Sequence, residues 1–106
     1  MYEVFIDGRG STSNGEQFLK KVKFDEVTKV IVKLQSSPPG GVADVIFVFK
    51  DNFQFTISNS FGIGYKGTGP TELYYILTGK LGVDSEEAKK LFVPNTYELT
   101  FEIKHD

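Results

Sequence analysis

Two apolar runs separated by two turn-forming residues do most to limit the folds open to this chain. Ala43 to Lys50 carries the nearly continuous run Val45-Ile46-Phe47-Val48-Phe49. Such a run predicts a central strand buried on both faces. Phe53-Gln54-Phe55-Thr56-Ile57-Ser58 alternates apolar and polar residues, the period of a strand with one buried face. Between them stand Asp51 and Asn52, which tolerate the positive φ of a type I′ turn. The pattern predicts a hairpin pairing residues 45–50 with 53–58 in antiparallel fashion, with Phe47 or Phe49 in the core.

The flanking elements follow from local pattern. Tyr2 to Asp7 reads as a first strand. Gly8 to Gly15 is polar and glycine-rich, and reads as a loop without an apolar anchor. Gln17 to Asp25 fits a short helix through Phe18 and Val22. It fits a strand through Phe18, Lys20, Val22 and Phe24, and the strand is the preferred reading. Val27 to Gln35 is β-branched, with Val30, Val32 and Leu34 on one side. Ser36-Ser37-Pro38-Pro39-Gly40-Gly41 is a break, read as a surface loop between strands.

Two helices come next. Pro70 suits the first helical position, with Gly69 or Thr68 as cap. Leu73, Ile76, Leu77 and Leu81 form its apolar stripe, and Gly79 or Gly82 stops it. Asp84 is placed to cap a second helix, with Glu87 at the capping-box position and Ala88, Leu91 and Phe92 on its buried face. After Pro94-Asn95, the residues Tyr97, Leu99, Phe101 and Ile103 alternate with Glu98, Thr100, Glu102 and Lys104 as a last strand.

The predicted fold class is therefore α+β. One domain spanning 1–106 is built on a mainly antiparallel sheet of about five strands, with two short helices (about 70–81 and 85–92) packed on one face. A sheet covered on one face leaves the other open, and a homodimer over that open face is the expected solution.

The strongest candidate for a ligand site is Phe61-Gly62-Ile63-Gly64-Tyr65-Lys66-Gly67-Thr68-Gly69-Pro70, in which four glycines fall within eight residues. Glycine turns at a helix N-terminus present backbone N–H groups to anions. Tyr65, Lys66, Gly67, Thr68 and Gly69 are the expected ligand-binding residues. Lys66 would supply charge, Thr68 a hydroxyl and Tyr65 a ring. Arg9 would add a guanidinium from the Gly8–Gly15 loop folding over as a lid. The alternative is a strand-to-helix connection in which glycine serves geometry alone. The string matches neither a P-loop, because Lys66 precedes Gly67, nor the dinucleotide-binding fingerprint, whose βαβ context is missing. Of the adjacent Tyr74 and Tyr75, one is expected to face away from the core.

The segment from Gly64 to Pro70, followed by Leu73 and Ile76-Leu77, resembles a family of short uncharacterised phage and plasmid proteins with the core Trp-Gly-Tyr-Gly-Gly-Ser-Gly-Pro. Ile63 stands in place of the tryptophan, Lys66 of a glycine and Thr68 of the serine. The resemblance covers residues 61–77. It implies a mobile-element origin and no particular activity.

Composition excludes more chemistry than it suggests. There is no cysteine, and the one histidine, His105, stands next to the last residue, where a frayed surface position is expected. Thiolate metal sites, cysteine nucleophiles and Ser-His-Asp catalysis fall away. No metal, cofactor or catalytic residue is expected. The carboxylate pairs Asp25-Glu26, Glu86-Glu87 and Glu98 with Glu102 read as turn, helix-start and strand-surface residues. Net charge is −2, and only one of twelve basic residues is arginine, which argues against general nucleic-acid binding. No apolar run reaches membrane-spanning length and the first residues do not read as a signal peptide, so a cytoplasmic protein without a membrane partner is expected. The leading functional reading is a non-enzymatic domain binding an anionic, nucleotide-like small ligand at the glycine turn, in the manner of a mobile-element protein that sequesters a host nucleotide signal. The alternative is a protein–protein interaction or inhibitor module. A hydrolase or phosphotransfer enzyme is disfavoured.

Overall fold

Five strands, three α-helices and a separate 3-10 turn follow one another in a computed structural model that describes residues 2–35 and 41–104. The break at 36–40 and His105 lie outside the described residues. Strand β1 is Tyr2–Asp7, helix α1 Thr12–Leu19, β2 Val27–Leu34, β3 Gly41–Phe49 and β4 Phe53–Ile63. Helix α2 (Thr68–Tyr75) runs on through a wider turn at Ile76–Lys80. Helix α3 (Ser85–Ala88) continues as a 3-10 turn at Lys89–Phe92, and β5 is Glu98–Glu102. The sheet order is β1-β4-β3-β2-β5. Three neighbouring pairs are antiparallel, but β1 lies parallel to β4, so the sheet is mixed.

The hairpin forms antiparallel with Phe47 fully buried, as predicted, but one residue out of the register that a two-residue turn would set: Phe47 lies opposite Phe55 and Val45 opposite Ile57. Its turn differs from the expected one. Three residues, Lys50 to Asn52, join the strands, and of these only Asn52 has a positive φ, at 60°. That suits a three-residue loop ending in a left-handed residue, whereas a type I′ turn needs two. Strand β3 is central, yet only one of its faces is fully buried. Ala43, Val45 and Phe47 lie in the core; Ile46 and Val48 on the other side are half-buried and Val42 is exposed. The reason is that α1 and α2 both pack on β4 and join one core cluster with the same side of the sheet.

Helix α1 corrects two expectations, the 8–15 loop and the strand across 17–25. Ser11 adopts extended backbone, and its hydroxyl accepts from the Asn14 N–H at 3.2 Å, a local N-cap. Gly15 and Leu19, four apart, are the buried positions. Gly15 reads as a breaker in sequence, but a methyl group there would come within 2.7 Å of Ser60 Cβ and 2.9 Å of the Phe61 ring. Glycine is what lets this helix lie close against β4. The chain then turns through a 3-10 segment, Phe24–Glu26, into β2.

Of the predicted stripe, Leu73 in α2, Leu77 in the wider turn and Leu81 just after it are buried at four-residue spacing, and Ile76 is half-buried. The cap is Gly67, so Pro70 stands at the third helical position, where its missing N–H still has no intrahelical partner to lose. Gly82, with φ 68°, follows the helix end. The capping box at Asp84 does not form: no side chain caps α3, and Glu87 pairs with Lys90 at 3.0 Å. Tyr75 is exposed, while Tyr74 is half-buried with its ring centroid 5.7 Å from that of Phe92.

Candidate functional site

The glycine turn is built around one aromatic ring. Gly64 carries the one positive φ of the turn, 86°, and its N–H donates to Leu91 O at 2.8 Å, tying the turn to the segment after α3. Tyr65 is 42% exposed and folds back over its neighbours. A Cβ on Gly62 would come 2.5 Å from the Tyr65 hydroxyl oxygen, and one on Gly67 2.7 Å from the ring. On Gly69 it would lie 2.9 Å from the Gly62 backbone nitrogen. Gly67 itself has φ −173°, an extended conformation open to any residue. Room for the tyrosine therefore accounts for Gly62 and Gly67, and room for the neighbouring backbone for Gly69. Thr71 N–H donates to Gly67 O within the first helical turn, and Pro70 has no N–H. Lys66 and Thr68 are exposed, and their side chains make no hydrogen bond or ion pair among the described residues.

Arg9 is held elsewhere. Its N–H donates to Asp7 Oδ1 at 2.8 Å where the chain leaves β1, and Asn59 Nδ2 donates to the same oxygen at 3.0 Å. The hydrogen bond from Asn59, then that from the Arg9 N–H, hold the Asp7 carboxyl below its ordinary range, aided by the Arg9 charge. No hydrogen bond or ion pair joins Arg9 to residues 65–69 among the described residues. The five turn residues thus share one corner, and the expected lid does not close over it.

A second polar cluster surrounds an irregularity in β4, where Ser58, Asn59 and Ser60 lie opposite the single residue Asp44. Asn59 has φ 58°. Asp44 Oδ1 accepts from Gln35 Nε2 at 2.7 Å and from Ser58 Oγ at 2.6 Å. Thr12 Oγ1 donates to Ser60 O at 2.7 Å. These bonds hold the bulge and dock the start of α1 on it. Ser58 is only 4% exposed and its hydroxyl is spent on Asp44, so the Ser58–Asp44 pair is built as a brace within the bulge. Ser60 Oγ is buried without a hydrogen-bond partner among the described residues, wedged between Gly8 and Gly15.

The carboxylates singled out from sequence are mostly paired. Glu98 and Glu102 on β5 face Lys33 and Lys29 on β2 at 3.7 and 3.9 Å. Glu86 meets Lys89 at 3.0 Å, and its hydrogen bond and charge raise the Lys89 pKa above its ordinary value. Among the described residues no group of three or more histidines, cysteines or carboxylates is placed to hold a metal ion, and no helix is long and apolar enough to cross a membrane.

The feature that sequence reasoning missed is an aromatic cleft at the hairpin end of the sheet. Phe18 and Val22 from α1 and its exit, together with Phe49, Phe53 and Phe55, enclose about 440 Å³. Lys21, Lys23, Glu26 and Asp51 complete the lining, and no ion pair joins these four to one another among the described residues. The Phe49 and Phe53 rings meet edge to face with centroids 5.3 Å apart. Phe18 is 42% exposed because the buried stripe of α1 runs through Gly15 and Leu19 and leaves Phe18 beside it. Only a helical reading of 12–19 could have signalled this, since a strand reading puts Phe18 in the core with Val22. Comparison of the chain with family models, with curated proteins and with solved structures finds no match.

Proposed function

We propose that this chain is a non-enzymatic binding module whose ligand site is the aromatic cleft. One observation carries the reading: four phenylalanines line a single cleft of about 440 Å³, and one of them, Phe18, is 42% exposed with room above it. A largely apolar concavity with a few charged groups at its margin is the common form of a small-molecule site. The ligand it suits has a flat apolar body to lie between the rings and a polar end to meet Lys21 and Lys23. An aromatic anion meets both demands, in keeping with the anionic, base-like ligand expected from sequence. The test is a fluorescence titration with anilinonaphthalene sulfonate, followed by competition with nucleoside monophosphates. Phe18→Ala should weaken binding about tenfold while the protein stays folded, because the side chain is largely outside the core. Equal affinity in wild type and variant would remove the cleft from consideration.

The glycine turn supports a second reading through one observation. Lys66 and Thr68 are both exposed at the start of α2, where the helix dipole favours an anion. It is the weaker reading, because the seating of Tyr65 and the close backbone packing already account for Gly62, Gly67 and Gly69.

A further inference from the structure

The two edges of the sheet are unlike. Strand β5 carries Glu98 and Glu102 paired to lysines of β2; its Phe101 is buried and its Leu99 half-buried. Strand β1 neighbours β4 alone. It has no lysine, no proline and no bulge, the usual devices that keep an edge from pairing. Two consecutive residues, Val4 at 39% and Phe5 at 65%, are exposed on it. Register places Val4 beside Phe55 and Ile6 beside Ile57 on the helix-covered side. Glu3, Phe5 and Asp7 stand on the open side beside Gln54, Thr56 and Ser58. Among the described residues the outer edge of β1 thus offers unpaired backbone, an exposed aromatic residue, and carboxylates two positions to either side of it.

We propose that β1 is a docking edge for an extended basic–apolar–basic peptide segment, added to the sheet as a sixth strand. Backbone hydrogen bonds would hold the segment, and alternate side chains would select it. On the open face its residues would be Lys or Arg, then an apolar residue, then Lys or Arg, facing Glu3, Phe5 and Asp7. On the other face they would be apolar, facing Val4 and Ile6. Asp7 retains an oxygen for this, because the bonds from Arg9 and Asn59 both go to Oδ1. Charge complementarity also argues against a second copy of β1 as the occupant. Antiparallel self-pairing centred on Phe5 sets Glu3 opposite Asp7, and centring on Val4 sets Glu3 against Phe5.

The probe is the blocked peptide Thr-Lys-Val-Phe-Val-Lys-Thr, read by amide hydrogen exchange and by fluorescence anisotropy. It should bind and slow exchange within residues 2–7. A version with both lysines replaced by glutamate should bind about tenfold more weakly, and one N-methylated at alternate amides should not bind. Glu3→Lys, which leaves one cation and one carboxylate on this face, should abolish the preference between the two charged peptides without changing thermal unfolding. No binding at millimolar peptide, equal binding of the two charged peptides, or equal binding of the N-methylated one overturns the proposal.

Discussion

Replacing Gly15 by alanine should destabilise the protein, against the intrinsic preference of the helix. In an exposed helix interior, Gly→Ala gains about 0.8–1 kcal/mol. At Gly15 the new methyl group would stand 2.7 Å from Ser60 Cβ, 2.8 Å from Ser60 Oγ and 2.9 Å from a Phe61 ring carbon, all closer than van der Waals contact. None of these can yield cheaply. Ser60 sits in the bulge with its carbonyl bonded to Thr12, and the Phe61 side chain is 1% exposed. Overpacking of this kind costs about 1–3 kcal/mol, so the net change is a loss of about 1 kcal/mol. Urea denaturation should show a lower midpoint at unchanged slope. For a domain of this size the melting temperature should fall by about 4–8 °C. Gly79 is the control: it lies in the helical turn after α2, and a Cβ there meets nothing within 4 Å. Gly79→Ala should stabilise by about 0.5–1 kcal/mol. If Gly15→Ala matches or exceeds wild-type stability, the account of why α1 needs glycine is wrong.

Phe47→Ala removes a fully buried ring from the central strand and should cost about 3–5 kcal/mol, read in the same denaturation experiment. Gly67→Val should destabilise through contact with the Tyr65 ring, and Tyr65→Ala should restore most of the loss in the double variant. Persistence of the loss would mean that crowding is not the cause. Lys66→Ala should leave stability unchanged, and calorimetry with phosphate then tests the second site reading: a drop in affinity supports it and no change refutes it. Asp7 has its pKa lowered from 3.8, so its stabilising contribution is present above that value and is lost as pH falls through the folded-state value. Asp7→Asn should therefore flatten the decline in urea midpoint between about pH 5 and about pH 2, and an unaltered decline would count against the Asn59 bond. A second copy over the uncovered sheet face is tested by light scattering. A dimer that Ile46→Glu dissociates supports it, and a monomeric wild type refutes it.

What the sequence determined by itself was whatever depends on neighbours along the chain. The alternation across 99–103, the strands on either side of Asp51-Asn52 and the buried Leu73, Leu77 and Leu81 are local patterns, and each appears where predicted, although the turn takes three residues and Ile76 of the predicted stripe is only half-buried. Tertiary structure decided whatever depends on residues far apart. That β1 lies parallel to β4 rests on a pairing some fifty residues away, which no local period encodes. Helix α1 was hidden because Gly15 counts against a helix in isolation, while Ser60 and Phe61, brought in from β4, demand a residue without a side chain. The glycines of the turn were legible as a cluster, but not as the floor beneath Tyr65, since a close approach is a property of the folded surface. The aromatic cleft was out of reach for the same reason. Phe18 shows itself as exposed only once α1 is a helix, and it meets Phe49, Phe53 and Phe55 only because packing on β4 carries α1 to the hairpin end of the sheet.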